Sequence, residues 1–328
     1  MFTLSALAFV LSGFFCVQIT LGAPIPHKRD TSPYYVTYND EAATPPDPQD
    51  IEPFNMVNLA FLLSSGNGSD VAGKWEQLSD SDRQSTLQQY EQAGIQIMVS
   101  AFGGEDAPTT NGLNATAVAD SMAQWVIQYG VHGVDVDYED FAAFGDGSGP
   151  GADWVIAFMK ALRQQLPQGK YLISHAPIAP WFKTDGGPYL KIHQEVGDLI
   201  DWYNVQFYNQ GSAYTTCDAL ITTMNDTNNP ALMEIVANGV PIEKLVIGKP
   251  TSSADAGSGY MSPTDLANCL AQAKQQYGYD SGIMNWQYHT DGSTLAWIKG
   301  VLGGTSGSES SSKRQLVKRR LVRRLSPW

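Results

Sequence analysis

Three carboxylates alternate along one short run, Asp135, Asp137 and Glu139, separated by Val136 and Tyr138. On a β-strand they would share one face at a spacing of ~6.6 Å, while Val134, Val136 and Tyr138 take the other. Carboxyl groups this close cannot all ionise cheaply, so repulsion raises the apparent pKa of at least one. Such a row can do general acid catalysis, and position points to Glu139 as the neutral acid. Two other readings compete. A divalent cation would accept these oxygens, although its ligands usually come from several strands. A salt-bridged strand end would need basic partners that the adjacent sequence lacks. No metal and no cofactor is expected.

Such a strand needs a scaffold. Apolar or alternating runs occur at Tyr34–Tyr38, Met56–Leu63, Gln96–Gly103, Gly133–Glu139, Tyr171–Ala179, Tyr203–Asn209, Lys244–Lys249 and Gly282–Tyr288. Helical stretches lie between them: Ser81–Ala93, Ala115–Tyr129, Ala152–Gln165, Pro188–Val196, Ala231–Ala237, Pro263–Tyr277 and Thr294–Val301. Ser79 to Asp82 and Ser262-Pro263 read as helix starts, Gly94 and Gly130 as stops. Eight strands alternating with helices predict an α/β fold, a single-domain (β/α)8 TIM barrel, with the acids pointing inward at the C-terminal mouth. A doubly wound open sheet is the alternative, but the sequence after the first run, Tyr38 to Ala42, offers no Gly-rich phosphate loop.

Composition bounds the rest. Of 328 residues, 43% are hydrophobic and 16% charged, which fits a folded chain rather than a disordered one. Lys313–Trp328 holds seven basic residues and no acid, whereas Asp30–Gly307 holds 11 basic residues against 32 acidic ones. A body this acidic repels phosphates, so nucleic acid is not an expected partner.

The chain is expected to divide into a signal peptide over 1–22, a short propeptide over 23–29 ending in Lys28-Arg29, the catalytic domain over 30–304 and a flexible linker with a basic tail over 305–328. The apolar, uncharged Met1–Leu21 reads as an export signal rather than an anchor, so a secreted, extracellular protein without stable membrane association is expected. The tail is amphipathic and could lie on an anionic surface, but trimming at its dibasic sites is the plainer reading. Sequons at Asn67, Asn114 and Asn225 agree with a secretory route. Once Cys16 leaves with the signal, Cys217 and Cys269 remain, either as one disulfide or as two buried thiols.

With these residues in place, the chain resembles glycoside hydrolase family 18, the chitinases and their relatives. The family's Asp-x-x-Asp-x-Asp-x-Glu motif falls on His132, Asp135, Asp137 and Glu139, departing at its first position. Further matches follow in order at Asn58–Leu62, Ser100–Gly104, Ala176–Pro180, Tyr203–Asn209 and Gly282–Trp286.

The resemblance implies a substrate-assisted retaining mechanism without an enzyme nucleophile. Glu139 would be acid and then base, Asp137 would hold the substrate's acetamide N–H, and Asp135 would share a proton behind it. Tyr208, with Gln206 on the same strand face, would donate to the acetamide oxygen, and Trp286 would floor the sugar. Tyr38, Phe61, Gly103 and Gly104 would contact substrate. His132 is read either as a donor to Asp135 or as a satisfied histidine outside the site. Pro250–Tyr260 is too short for the α+β insertion of some members, which implies an open groove suited to endo attack.

The expected substrate is a GlcNAc-containing polysaccharide of the chitin type. The alternatives are the N-glycan core, cleaved by an endo-β-N-acetylglucosaminidase, and a non-catalytic chitin-binding lectin on the same barrel. A monomer is expected.

Overall fold

The computed structural model describes residues 33–303 apart from 43, 44, 146 and 148. The expected export signal, propeptide and tail lie outside the described residues.

Eight parallel strands close into a barrel: β1 (Tyr34–Asn39), β2 (Met56–Leu62), β3 (Gln96–Gly103), β4 (Gly133–Tyr138), β5 (Leu172–His175), β6 (Trp202–Gln206), β7 (Leu245–Pro250) and β8 (Gly282–Trp286). Closure is direct, with Tyr34 of β1 paired to Gly282 of β8 and Tyr38 paired to Asn58 of β2. Around it lie α1 (Asp70–Gln77), α2 (Asp80–Ala93), α3 (Ala115–Tyr129), the one-turn α4 (Phe141–Phe144), α5 (Gly151–Gln165), α6 (Pro188–Val196), α7 (Leu232–Ala237), α8 (Pro263–Tyr277) and a last helix, α9, over 293–303.

The helix signals act through their side chains. Ser79 Oγ accepts from Asp82 N at 3.2 Å at the start of α2, and Asn114 Oδ1 accepts from Ala117 N at 3.0 Å at the start of α3. Gly94 and Gly130 end those helices in the left-handed conformation. The sequence reading missed α1, whose pattern is interrupted by Gly73; the fully buried Trp75 anchors it all the same.

Strand parity sorts the two cores. Val134, Val136 and Tyr138 of β4 face the helices, in one core with Val57, Leu59, Val99, Val126 and Phe158. The lumen is filled at one end by Val36, Met56, Met98, Val246 and Met284, with Tyr34 stacked on Trp202 at 4.2 Å. Above that plug lies a fully buried polar layer containing Ser100, Asp135, Ser174 and Asn204. A disulfide joins Cys217, in the segment after β6, to Cys269 of α8, which settles the choice between a bridge and two thiols.

β5 and β6 fall furthest short of their expected ends, and β2, β4 and β8 stop within two residues of theirs. β5 stops at His175, because Pro177 has no N–H for the ladder and residues 179–182 form a 3-10 turn. β6 stops at Gln206, and Asn209 at φ 63° turns the chain aside.

Candidate active site

The site grows upward from Asp135. The ladder sets Asp135 between Ser100 of β3 and Ser174 of β5, so a hydroxyl arrives from each neighbouring strand. Ser174 Oγ donates to Oδ1 at 2.6 Å and Ser100 Oγ to Oδ2 at 2.9 Å. Across the lumen, Tyr38 Oη donates to Oδ2 at 2.7 Å and Asn204 Nδ2 to Oδ1 at 3.0 Å. Burial raises the pKa of Asp135 above its ordinary value, and these four donors offset only part of the rise. Its oxygens are occupied by protein donors, which does not suit a cation ligand.

One step up β4, Asp137 is buried with a pKa well above the ordinary value. Burial is the main cause, followed by the charges of Glu139 and Asp135; a hydrogen bond with Glu139 adds to the rise, and one from Gln206 opposes it. Position alone points to Glu139 as the neutral member of the row. Burial instead favours the proton on Asp137, with Glu139 as its hydrogen-bond partner.

Gln206, the last residue of β6, ties the pair together. Its Nε2 lies 3.0 Å from Asp137 Oδ1, 2.9 Å from Glu139 Oε1 and 2.9 Å from the Ala176 carbonyl. Tyr208 lies beyond the strand end rather than on it, yet it still faces the same space. Burial, then the charges of Asp137, Glu139 and Asp135, keep its phenol protonated and able to donate.

A cleft of about 710 Å³ opens above these groups, lined by Asp137, Glu139, Gln206, Tyr208, Phe61, Trp286, Gly103 and Gly104. Trp286 ends β8 as a part-exposed ring, stacked with Phe61 at 6.0 Å and set against Tyr38 at 5.8 Å. At Gly103, φ is 79° and a Cβ would meet the Phe61 ring at 3.1 Å. A Cβ at Gly104 would press on Glu139 Oε2 at 3.3 Å. Every expected site residue is therefore at the cleft or directly beneath it; Tyr38 acts from below, on Asp135, rather than as part of the lining.

Of the two readings of His132, the structure selects the satisfied histidine outside the site. Parity puts it on the helix-facing side of β4, opposite to Asp135; its Nδ1 lies 3.1 Å from Ile97 N and its Nε2 lies 3.5 Å from Glu91 of α2. It neither donates to Asp135 nor reaches the site.

Other lining residues escaped the sequence reading because they sit on loops. Asp106 accepts from Ser64 N at 2.5 Å and Ser64 Oγ at 2.7 Å, clasping the loops after β2 and β3. Asp40, after β1, has a pKa pushed up to about 6 by burial and then by Asp70, Glu41 and Glu105, against Lys74. Among the described residues no cluster of His, Cys, Asp or Glu is arranged to hold a metal ion.

The model for "Glycosyl hydrolases family 18" matches residues 30–310. A "Chitinase" of Enterococcus faecalis is 26% identical over 256 residues, which is 73% of this chain and 72% of that protein. "Endochitinase 3" of Metarhizium robertsii is 25% identical over 314 residues, 85% of this chain and 93% of that one. Among solved structures, a GH18 chitinase from Pseudoalteromonas aurantia superposes with a TM-score of 0.67 at 32% identity, covering 83% of this chain and all of its own.

Proposed function

We propose, from the premise that this chain belongs to glycosyl hydrolase family 18 and is a glycoside hydrolase of the chitinase type, that it cleaves β-1,4 bonds between GlcNAc units by endo attack with retention. The observation that carries this reading is the Asp137–Glu139 pair, bridged by Gln206 at the base of a cleft floored by Trp286.

The chemistry follows from that arrangement. A GlcNAc ring lies on Trp286, and the Tyr208 hydroxyl donates to its acetamide carbonyl. That carbonyl oxygen bonds to the anomeric carbon as the glycosidic bond breaks, and Glu139 protonates the departing oxygen. The proton held by the pair supplies this transfer and leaves Asp137 as a carboxylate facing the positive oxazolinium. Asp135, held by its four donors, keeps Asp137 pointed up the lumen. Water then opens the ring, and Glu139 takes its proton.

Export through a secretory route, with the leader removed before a single catalytic barrel, belongs to the same proposal. The Cys217–Cys269 bridge fits an oxidising compartment, and Asn67, Asn114 and Asn225 are exposed, as acceptors for glycans must be. No helix among the described residues is long and apolar enough to cross a membrane.

The test is incubation with GlcNAc oligomers and, separately, with a high-mannose glycoprotein, following products by mass spectrometry and anomers by NMR. Short GlcNAc oligomers appearing first as the β-anomer are expected. Release of an intact glycan without oligomers would overturn the substrate, initial α-anomer would overturn retention, and binding without turnover would leave a lectin.

A further inference from the structure

Lys249 of β7 is fully buried, faces away from the lumen and has no carboxylate partner among the described residues. Its Nζ donates instead to two carbonyls, those of Phe207 and Tyr214, both at 2.8 Å. These mark the ends of the segment that leaves β6, turns at Asn209 with φ 63° and returns through Tyr214 with φ 62°. The rings of Phe207 and Tyr214 pack edge to face at 5.1 Å, so one nitrogen and one ring pair close the loop at its neck. Tyr208 is the next residue after the clamped carbonyl. From the other side, Asn209 N donates to Ser258 O at 3.1 Å, and a Cβ at Gly259 would come within 2.6 Å of Tyr208 Cα. The Tyr208 backbone is thus held between Lys249 and the loop after β7.

Burying an ammonium without a counter-ion is costly, and burial lowers the Lys249 pKa to about 7. A neutral amine carries two N–H bonds, matching the two carbonyls, so the clamp survives loss of the charge. An apolar side chain of the same length would leave both carbonyls unsatisfied.

We infer that Lys249 is a positioning residue for glycoside hydrolysis, fixing the neck of the 207–214 loop so that the Tyr208 hydroxyl meets the substrate's acetamido carbonyl. This rests on the role given to Tyr208 above. It touches no substrate and acts only through the loop.

The experiment is a double-mutant cycle on the full chain, measuring kcat and KM on a GlcNAc oligomer together with the melting temperature, for K249M, Y208F and the pair. K249M is expected to lower kcat about tenfold with KM changed less than about twofold, since misplacing a group by an ångström has effects of this order or larger. In the Y208F background the same substitution is expected to cost almost nothing further. Wild-type kcat in K249M while Y208F is impaired overturns this inference alone. An equal loss in both backgrounds also overturns it, because a merely structural role behaves that way. Wild-type kcat in Y208F overturns the role of Tyr208 and this inference with it. If K249M does not fold, K249Q, which keeps two N–H donors, replaces it in the cycle. A loss confined to the background with Tyr208 intact supports the clamp, and near-wild-type kcat or a loss shared by both backgrounds rejects it.

Discussion

The hydroxyl of Tyr38 on the first strand donates to Oδ2 of Asp135 on the fourth, 2.7 Å away across the barrel lumen. The bond joins the closure of the barrel to the base of its carboxylate row. Tyr38 Oη also accepts from Asn204 Nδ2 at 3.2 Å, so three strands meet on one phenol. Tyr38→Phe keeps the ring volume and removes one of the four donors on a buried carboxylate. A stability loss of about 1.5–3 kcal/mol is expected in urea unfolding, the size of a hydrogen bond to a charged group. An unchanged midpoint would mean that Ser100, Ser174 and Asn204 suffice alone.

Glu139→Gln removes the carboxyl group that hands the pair's proton to the departing oxygen, while keeping the shape. The new amide can turn its oxygen toward Gln206 Nε2, which now donates to Glu139 Oε1 at 2.9 Å, so the fold has no reason to change. Turnover is expected to drop about 10²–10⁴-fold, with oligosaccharide affinity retained in calorimetry. Turnover within a few-fold of wild type would remove Glu139 from the chemistry.

Asp137 ties stability to pH. Its folded pKa is raised, so above 3.8 the folded chain holds a proton that the unfolded chain has released. Stability from this group is therefore fully present below 3.8 and is lost as pH rises toward the folded value. Asp137→Asn should melt above wild type at neutral pH, with a gap that widens from pH 4 upward, while turnover falls. A gap independent of pH would contradict the assignment of the proton.

At the cleft rim, Asp40 gives a narrower window. With its pKa near 6 against a usual 3.8, it draws stability away as pH rises between those values. Asp40→Asn should flatten the thermal stability profile across that interval and leave acid stability as it was. Identical slopes in the two proteins would show that neither burial nor the charges of Asp70, Glu41 and Glu105 raise its pKa.

Reducing the Cys217–Cys269 bridge, which spans 52 residues, should cost about 4 kcal/mol on the chain-entropy estimate. Denaturant unfolding of a Cys217→Ser, Cys269→Ser pair reads this directly, and a loss under about 1 kcal/mol would mean that the unfolded loop is already constrained.

How much was legible beforehand follows from where the periodic signal lies. β3 and β4 could be read because half their residues face an apolar core and half do not, and the same parity lifted Asp135, Asp137 and Glu139 onto one face. It should also have removed His132, an odd number of residues from Asp135. Ser100, Ser174 and Asn204 were out of reach as donors to Asp135, because that contact depends on the register of three neighbouring strands and on the lumen radius. Asp40, Ser64 and Asp106 lie on loops, where alternation carries no information. β5 was read too long because Ile178, past Pro177, is apolar for another reason: its side chain packs, part-buried, against the helix-side core.

The pairing of Tyr34 with Gly282 also has a consequence for biosynthesis. A chain made from its N-terminus completes β1 about 240 residues before β8 begins, an interval of roughly 12 to 50 s at ordinary translation rates. Throughout it, the sheet has two open edges whose N–H and C=O groups can recruit strands from neighbouring nascent chains. Only the last strand removes both at once. Chains interrupted before Gly282 should therefore aggregate on the ribosome, while chains carried past Trp286 do not.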